Sequence, residues 1–181
     1  MSTRSFPRPR RRRRVQKSPG TVFALGVLGL GLIGFSAFAD PVPRFIWNAS
    51  ASAQIGLYRV VSGAAGRGDL VLVRAPESVA KLAAKRGYLP VGVPLIKRIA
   101  AVAGDDVCAF NGAIIVNGEI DARQRKLDRA GRSLPRWNEC RELVQGEFFL
   151  LTKAPASFDS RYFGPVPSAQ VIGRLVPLWT D

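Results

Sequence analysis

The chain has 181 residues, enough for one ordinary domain and an appendage. It has no histidine, which excludes a Ser-His-Asp triad, a Cys-His dyad and any His-ligated metal site, and its two cysteines cannot build a four-Cys zinc site. The formal charge of +14 is unevenly placed: residues 1–39 hold eight Lys/Arg and no Asp or Glu, so the body is only moderately basic and is not read as a nucleic-acid binder.

Residues 1–20 form a basic tail with seven arginines and Lys17. Eight such charges suit contact with anionic lipid at the cytoplasmic face, and the tail alone is also compatible with DNA. Residues 21–39, TVFALGVLGLGLIGFSAFA, carry no charge and no polar face. As a helix they would be roughly 28 Å long, close to the hydrocarbon thickness of a bilayer. A basic cluster before an apolar run keeps the N-terminus in the cytoplasm. Two readings compete for this segment. It is a retained anchor, favoured by its length, or a signal removed after the small-x-small pattern Ala37-Phe38-Ala39. Either way, residues 40–181 are expected outside the cytoplasm, tethered to the membrane or released from it. In that oxidising compartment Cys108 and Cys140 are expected to pair.

Residues 40–47 read as a connector containing proline. Strands are expected at 57–61 and 69–74, and a helix at 76–86 with Val79, Leu82 and Ala83 inward and Gly87 ending it. Residues 94–102 read as a mostly buried strand. Asn111-Gly112 joins a hairpin of 106–110 and 113–116, and Asn117-Gly118 marks another turn. Residues 121–142 read as a charged, exposed insert held by the two cysteines. A strand at 147–152, a loop over 155–168 and a last strand at 171–178 complete a mainly β domain with one short helix.

Without histidine, a hydrolase can activate serine with lysine. That lysine must be neutral, so it must be poorly solvated. Of six lysines, only Lys97 sits within an apolar run, PLIKRIAAV. Period-two alternation puts it with Leu95 and Ile99, and puts Ile96 and Arg98 on the other face. Ser50, Ser52, Ser62, Ser78, Ser133, Ser157, Ser160 and Ser168 are the candidate hydroxyls of the body. Ser50 and Ser52 stand among small residues that would let a substrate backbone approach.

Three separated segments point one way. Asn48-Ala49-Ser50-Ala51-Ser52-Ala53-Gln54-Ile55-Gly56-Leu57-Tyr58 is followed by Pro94-Leu95-Ile96-Lys97-Arg98-Ile99-Ala100-Ala101-Val102-Ala103-Gly104-Asp105. Ser157-Phe158-Asp159-Ser160-Arg161-Tyr162-Phe163-Gly164-Pro165-Val166 comes third. Together they resemble the boxes of the conjugative-transfer signal peptidases of the TraF type, relatives of signal peptidase I. The resemblance implies a signal peptidase-like β domain over 40–181 and a Ser/Lys peptidase with no cofactor and no metal. By motif position Ser52 is the nucleophile, Lys97 the base and Ser50 an oxyanion donor, with Asp159 and Arg161 in support. The implied substrate is a prepilin, and the implied partners are the inner membrane and other conjugative transfer proteins. Hydrolysis and cyclisation of the pilin both stay open. A general signal peptidase I and a non-catalytic scaffold of the transfer channel are the alternatives. Gln54 stands where the family usually has proline, which would stiffen the chain beside the nucleophile.

Overall fold

A computed structural model describes residues 18–38, 43–50 and 53–180. The basic tail up to Lys17, the proposed cleavage point at Ala39 and the proposed nucleophile Ser52 lie outside the described residues. The chain divides into two compact units, Met1–Pro41 and Val42–Asp181.

The first unit contributes helix α1, Pro19–Phe38. Ser18 caps it: its hydroxyl accepts from the Thr21 amide at 3.3 Å, and Pro19 takes the first helical position, where its missing N–H is no loss. Side chains along α1 are described from Pro19 to Phe35, and within that stretch no helix is long and apolar enough to cross a membrane. Its large side chains, Phe23, Leu25, Leu30 and Ile33 among them, are exposed.

The second unit is mainly β. Its strands are β1 (Phe45–Asn48), β2 (Gly56–Val61), β3 (Leu70–Val73), β4 (Leu95–Ala101), β5 (Asp106–Phe110), β6 (Ala113–Val116), β7 (Glu119–Arg123), β8 (Cys140–Glu142), β9 (Glu147–Leu151), β10 (Val166–Pro167) and β11 (Val171–Thr180). Seven of them form an antiparallel sheet in the order β1-β2-β11-β3-β4-β9-β10, and four form a second in the order β7-β6-β5-β8. Long β11 holds the larger sheet together by pairing with β2 at one end and β3 at the other. Helices α2 (Glu77–Lys85) and α3 (Ser160–Phe163) complete the unit.

Alternation decides the layers. One face of the larger sheet gathers Val71, Val73, Ile99, Leu150 and Val166; the other gathers Tyr58, Leu72, Ile96 and Leu175. Ala101, Val107, Ile114, Trp137, Leu143 and Phe149 form a third cluster, where the small sheet meets the ends of β4 and β9. Both Asn-Gly turns of the small sheet have positive φ at each residue, as a two-residue hairpin turn requires (Asn111 49°, Gly112 76°; Asn117 49°, Gly118 86°). Helix α2 buries Val79 and Ala83 and ends before Gly87, as expected. Cys108 and Cys140 are bonded, directly opposite one another on β5 and β8.

Three segments differ from the sequence reading. The connector ends earlier, because Phe45–Asn48 pairs with β2 as an edge strand. The expected loop over 155–168 contains α3, whose first turn is capped by Asp159. The segment 121–142 is not a free insert. It begins and ends in strands, buries Trp137, and donates from the Gln124 side-chain amide to the carbonyls of Trp137 (2.7 Å) and Arg161 (2.6 Å). Its charge density hid one large apolar residue that ties it to the body.

Candidate active site

Lys97 lies mid-way along β4, opposite Val71 of β3. Its neighbours Leu95 and Ile99 belong to the apolar cluster of one sheet face, while Ile96 belongs to the cluster of the other. The strand therefore carries the amine into a hydrocarbon environment, and only 4% of the residue remains exposed. Lys81, Lys85, Lys126 and Lys153 are exposed. Burial lowers the Lys97 pKa to about 8; the Asp159 carboxylate opposes that shift, and Arg161 adds to it. An ammonium here is poorly hydrated, so losing a proton near neutral pH relieves a cost that an exposed lysine never meets.

The Lys97 Nζ donates to the Ser157 Oγ at 2.6 Å. Sequence reasoning assigned Ser157 no role, although it opens the third box. The signal was its place two residues before Asp159, on the segment that follows β9. Ser157 is itself buried, and its amide donates to the Ala154 carbonyl at 3.1 Å, fixing the turn that presents the hydroxyl.

Asp159 and Arg161 form a fully buried ion pair. The Arg161 Nε donates to Asp159 Oδ1 at 2.7 Å and its Nη2 to Oδ2 at 2.9 Å, in the two-pronged geometry that suits guanidinium and carboxylate. The pair is further satisfied from the strand: Arg161 Nη2 donates to the Thr152 carbonyl at 2.8 Å, and the Thr152 amide donates to Asp159 Oδ2 at 3.2 Å. The neighbouring Ser160 Oγ accepts from the Leu150 amide at 3.0 Å. These contacts fasten α3 to β9. Asp159 and Arg161 act on Lys97 through their charges.

The first box begins at buried Asn48, the last residue of β1. Ser50 donates through its Oγ (2.9 Å) and its amide (3.0 Å) to the Asn48 Oδ1. Gln54 is exposed, and its carbonyl accepts from the Tyr58 hydroxyl at 2.7 Å. The loop closes at Gly56, whose φ of +152° and tight fit against the Trp179 carbonyl leave no room for a side chain. In the second box, buried Asp105 accepts from the Val102 amide (2.8 Å), the Asn117 side chain (2.9 Å) and Arg67, so the Gly-Asp ending of that box is a turn lock.

A cleft of about 780 Å³ opens beside these elements. Its wall includes Ala53 and Gln54, the two residues after Ser52; Arg98, next to Lys97; and Thr152, Lys153 and Ala154, at the end of β9. Lys97 and Ser157 are not on that wall. Among the described residues no three carboxylates or thiols converge as metal ligands would. What converges is an amine of lowered basicity, a hydroxyl that receives its hydrogen bond and a buried ion pair that tunes it.

The molecule is thus a mainly β protein with, among its described residues, one buried lysine of lowered basicity. A family model described as signal peptidase, peptidase S26, matches residues 18–179, and the chain belongs to that family. It is 33% identical over 144 residues to a plasmid transfer protein TraF of Escherichia coli, covering 74% of this chain and 81% of that protein. It is 31% identical over 166 residues to a conjugal transfer protein TraF of Agrobacterium fabrum, covering 86% of this chain and 93% of that one. The crystal structure of a signal peptidase I from Enterococcus faecalis aligns with a TM-score of 0.39 at 20% identity, over 64% of this chain and 100% of that one.

Proposed function

We propose that this protein is a membrane-tethered serine endopeptidase that matures a pilin-type precursor of a conjugative transfer apparatus. The observation that carries the reading is the buried amine of Lys97, lowered to about 8 in a chain without histidine. Family membership and the names of the TraF relatives support the peptidase class and the conjugative setting. The apolar run 21–39 behind a basic tail supports a tether in the inner membrane with the body in the periplasm.

In this mechanism neutral Lys97 takes the Ser52 hydroxyl proton as the oxygen attacks the scissile carbonyl. The Ser52 amide receives the oxyanion, and the Ser50 hydroxyl joins it by turning its one proton from the Asn48 Oδ1 to the oxyanion, each such donor lowering the barrier by roughly 3–4 kcal/mol. The ammonium of Lys97 then gives its proton to the leaving amine. Water, or the precursor's own N-terminal amine, attacks the acyl-enzyme and gives a proton to Lys97, which returns it to the Ser52 oxygen as the ester bond breaks. The first route gives a linear product and the second a cyclic one lighter by one water. Ser157 holds the Lys97 amine in position throughout.

The test is processing of the precursor by full-length variants whose folding is checked by thermal unfolding. Ser52→Ala and Lys97→Ala should each lower the rate by at least about 10³-fold. Ser157→Ala should cost about 10²-fold, the scale of a misplaced catalytic group. Normal maturation by Ser52→Ala and Lys97→Ala would end the proposal. Loss with Ser157→Ala as complete as with Lys97→Ala, beside an active Ser52→Ala, would move the nucleophile to Ser157.

A further inference from the structure

The geometry points to Asn48 as the positioning residue of the nucleophile loop, an inference that rests on the reading of Ser52 as nucleophile. Asn48 is 4% exposed, and its one side chain makes five hydrogen bonds within the loop that joins β1 to β2. Its Nδ2 donates to the carbonyls of Ser50 (3.0 Å), Ala53 (3.1 Å) and Gln54 (2.9 Å). Its Oδ1 accepts from the Ser50 amide (3.0 Å) and the Ser50 Oγ (2.9 Å).

Only the bond from the Ser50 amide is the ordinary local turn of an Asn. Two others go to the same residue, and the two to the Ala53 and Gln54 carbonyls reach further along the chain. Ser50 lies two residues before Ser52, and Ala53 and Gln54 lie just after it. One amide thus grips the loop on both sides of the proposed nucleophile. The carbonyls it binds are polar groups that no strand ladder satisfies, so a buried donor there organises the backbone rather than decorating it. Tyr58 adds a second grip on the Gln54 carbonyl at 2.7 Å.

The arrangement also answers the departure at residue 54. Proline would limit the loop by covalent constraint; Gln54 leaves φ free, so the Asn48 amide, bound to the carbonyls of residues 53 and 54, is the constraint that remains in this chain. No described hydrogen bond uses the Gln54 amide, and a proline there would keep the carbonyl that Asn48 and Tyr58 bind. The two devices act on the same stretch, so a proline at 54 should compensate in part for loss of the Asn48 amide. Asn48 touches neither substrate nor Lys97 in this scheme. Its contribution is to fix residues 50, 53 and 54, on either side of Ser52 in the chain.

The experiment uses the full-length protein in nanodiscs with the purified precursor, comparing Asn48→Ala, Asn48→Asp, Gln54→Pro, the double variant Asn48→Ala/Gln54→Pro, and Ser52→Ala as reference. Asn48→Ala should lower kcat about 10²-fold with KM changed less than about threefold, as a misoriented nucleophile does. Asn48→Asp keeps the acceptor oxygen for Ser50 but turns a carboxylate toward three carbonyls, and should lose a similar factor. The activity midpoint near pH 8 should not move, because Lys97 is untouched. Amide exchange in residues 50–55 should quicken in both variants while β4 stays protected. Adding Gln54→Pro to Asn48→Ala should recover at least about tenfold in kcat, a rescue that a merely structural residue would not allow. Wild-type kcat in Asn48→Asp, or activity lost only in step with the folded fraction and not restored by Gln54→Pro, overturns the inference. If Ser52→Ala matures the precursor normally, the functional reading fails, and unchanged exchange in 50–55 decides separately against Asn48 as the loop's organiser.

Discussion

A protonated Lys97 is costly to bury. Its Nζ has one described partner, Ser157, and hydrocarbon around the rest of the stem. The folded-state pKa is depressed, so the unfolded chain holds the lysine proton more tightly than the folded one. Below about pH 8 both states are protonated and the burial penalty is present in full; between about pH 8 and 10.5 the unfolded state binds more protons, so rising pH recovers stability. Replacing the amine by an apolar side chain of similar length should remove the penalty and leave Ser157 without its partner. We therefore expect Lys97→Met to be more stable than the natural protein by roughly 1–2 kcal/mol at pH 6–7, with the advantage shrinking above about pH 8. Urea unfolding at several pH values checks this, and a destabilised variant at every pH would contradict it. Activity has the matching sign: with Lys97 as base, kcat/KM should rise with pH to a plateau above about 8. A flat profile down to pH 5 would remove Lys97 from that role. The placement of Lys97 was legible in the sequence because the amine interrupts an apolar run and alternation assigns it a face. The role of Ser157 was not, because a hydroxyl two residues from a charged pair looks the same whether it caps a turn or holds a lysine.

At the scale of elements, the segment between β7 and β8 is what sequence reading least anticipated. Its composition is that of a solvated loop, and periodicity says nothing where strands are three to five residues long. The structure shows why it matters to the site. Trp137 packs on Phe149 with ring centroids 5.1 Å apart, and Gly164 of the third box lies so close to the indole that an added Cβ would come within 2.7 Å of it. Gly164 also has a φ of 79°, so a side chain is unfavourable on both counts. Gly164→Ala should cost about 2–4 kcal/mol in urea unfolding, and the loss should appear as faster amide exchange in α3 before any change in β2 or β11. A stability within about 0.5 kcal/mol of the natural protein would show that the indole moves aside freely. The disulfide acts on the same segment. It closes a loop across a separation of 32 residues, and Cys108→Ser/Cys140→Ser should lower stability by about 2–4 kcal/mol. The pairing was expected from compartment logic alone, whereas the register that sets the two cysteines opposite each other needed β8, a three-residue strand with no sequence signature.

At the scale of the whole molecule, the tether reading makes a claim about one sheet face. Trp47, Leu57 and Trp179 are register neighbours across β1, β2 and β11, so their side chains share a face, and Phe45 lies two residues along it. Trp47 and Trp179 are 55% and 64% exposed, with ring centroids 5.9 Å apart, and Phe45 is exposed beside them. Paired indoles exposed on a sheet are costly in water and suited to the headgroup region of a bilayer. Trp137, 7% exposed, serves as an internal reference. In vesicles whose acyl chains carry bromine near the headgroups, variants that keep only Trp47 or only Trp179 should lose most of their fluorescence. A variant that keeps only Trp137 should lose little. Equal, weak quenching of all three, with precursor processing intact, would mean that the catalytic body works clear of the lipid and that the indoles face another surface.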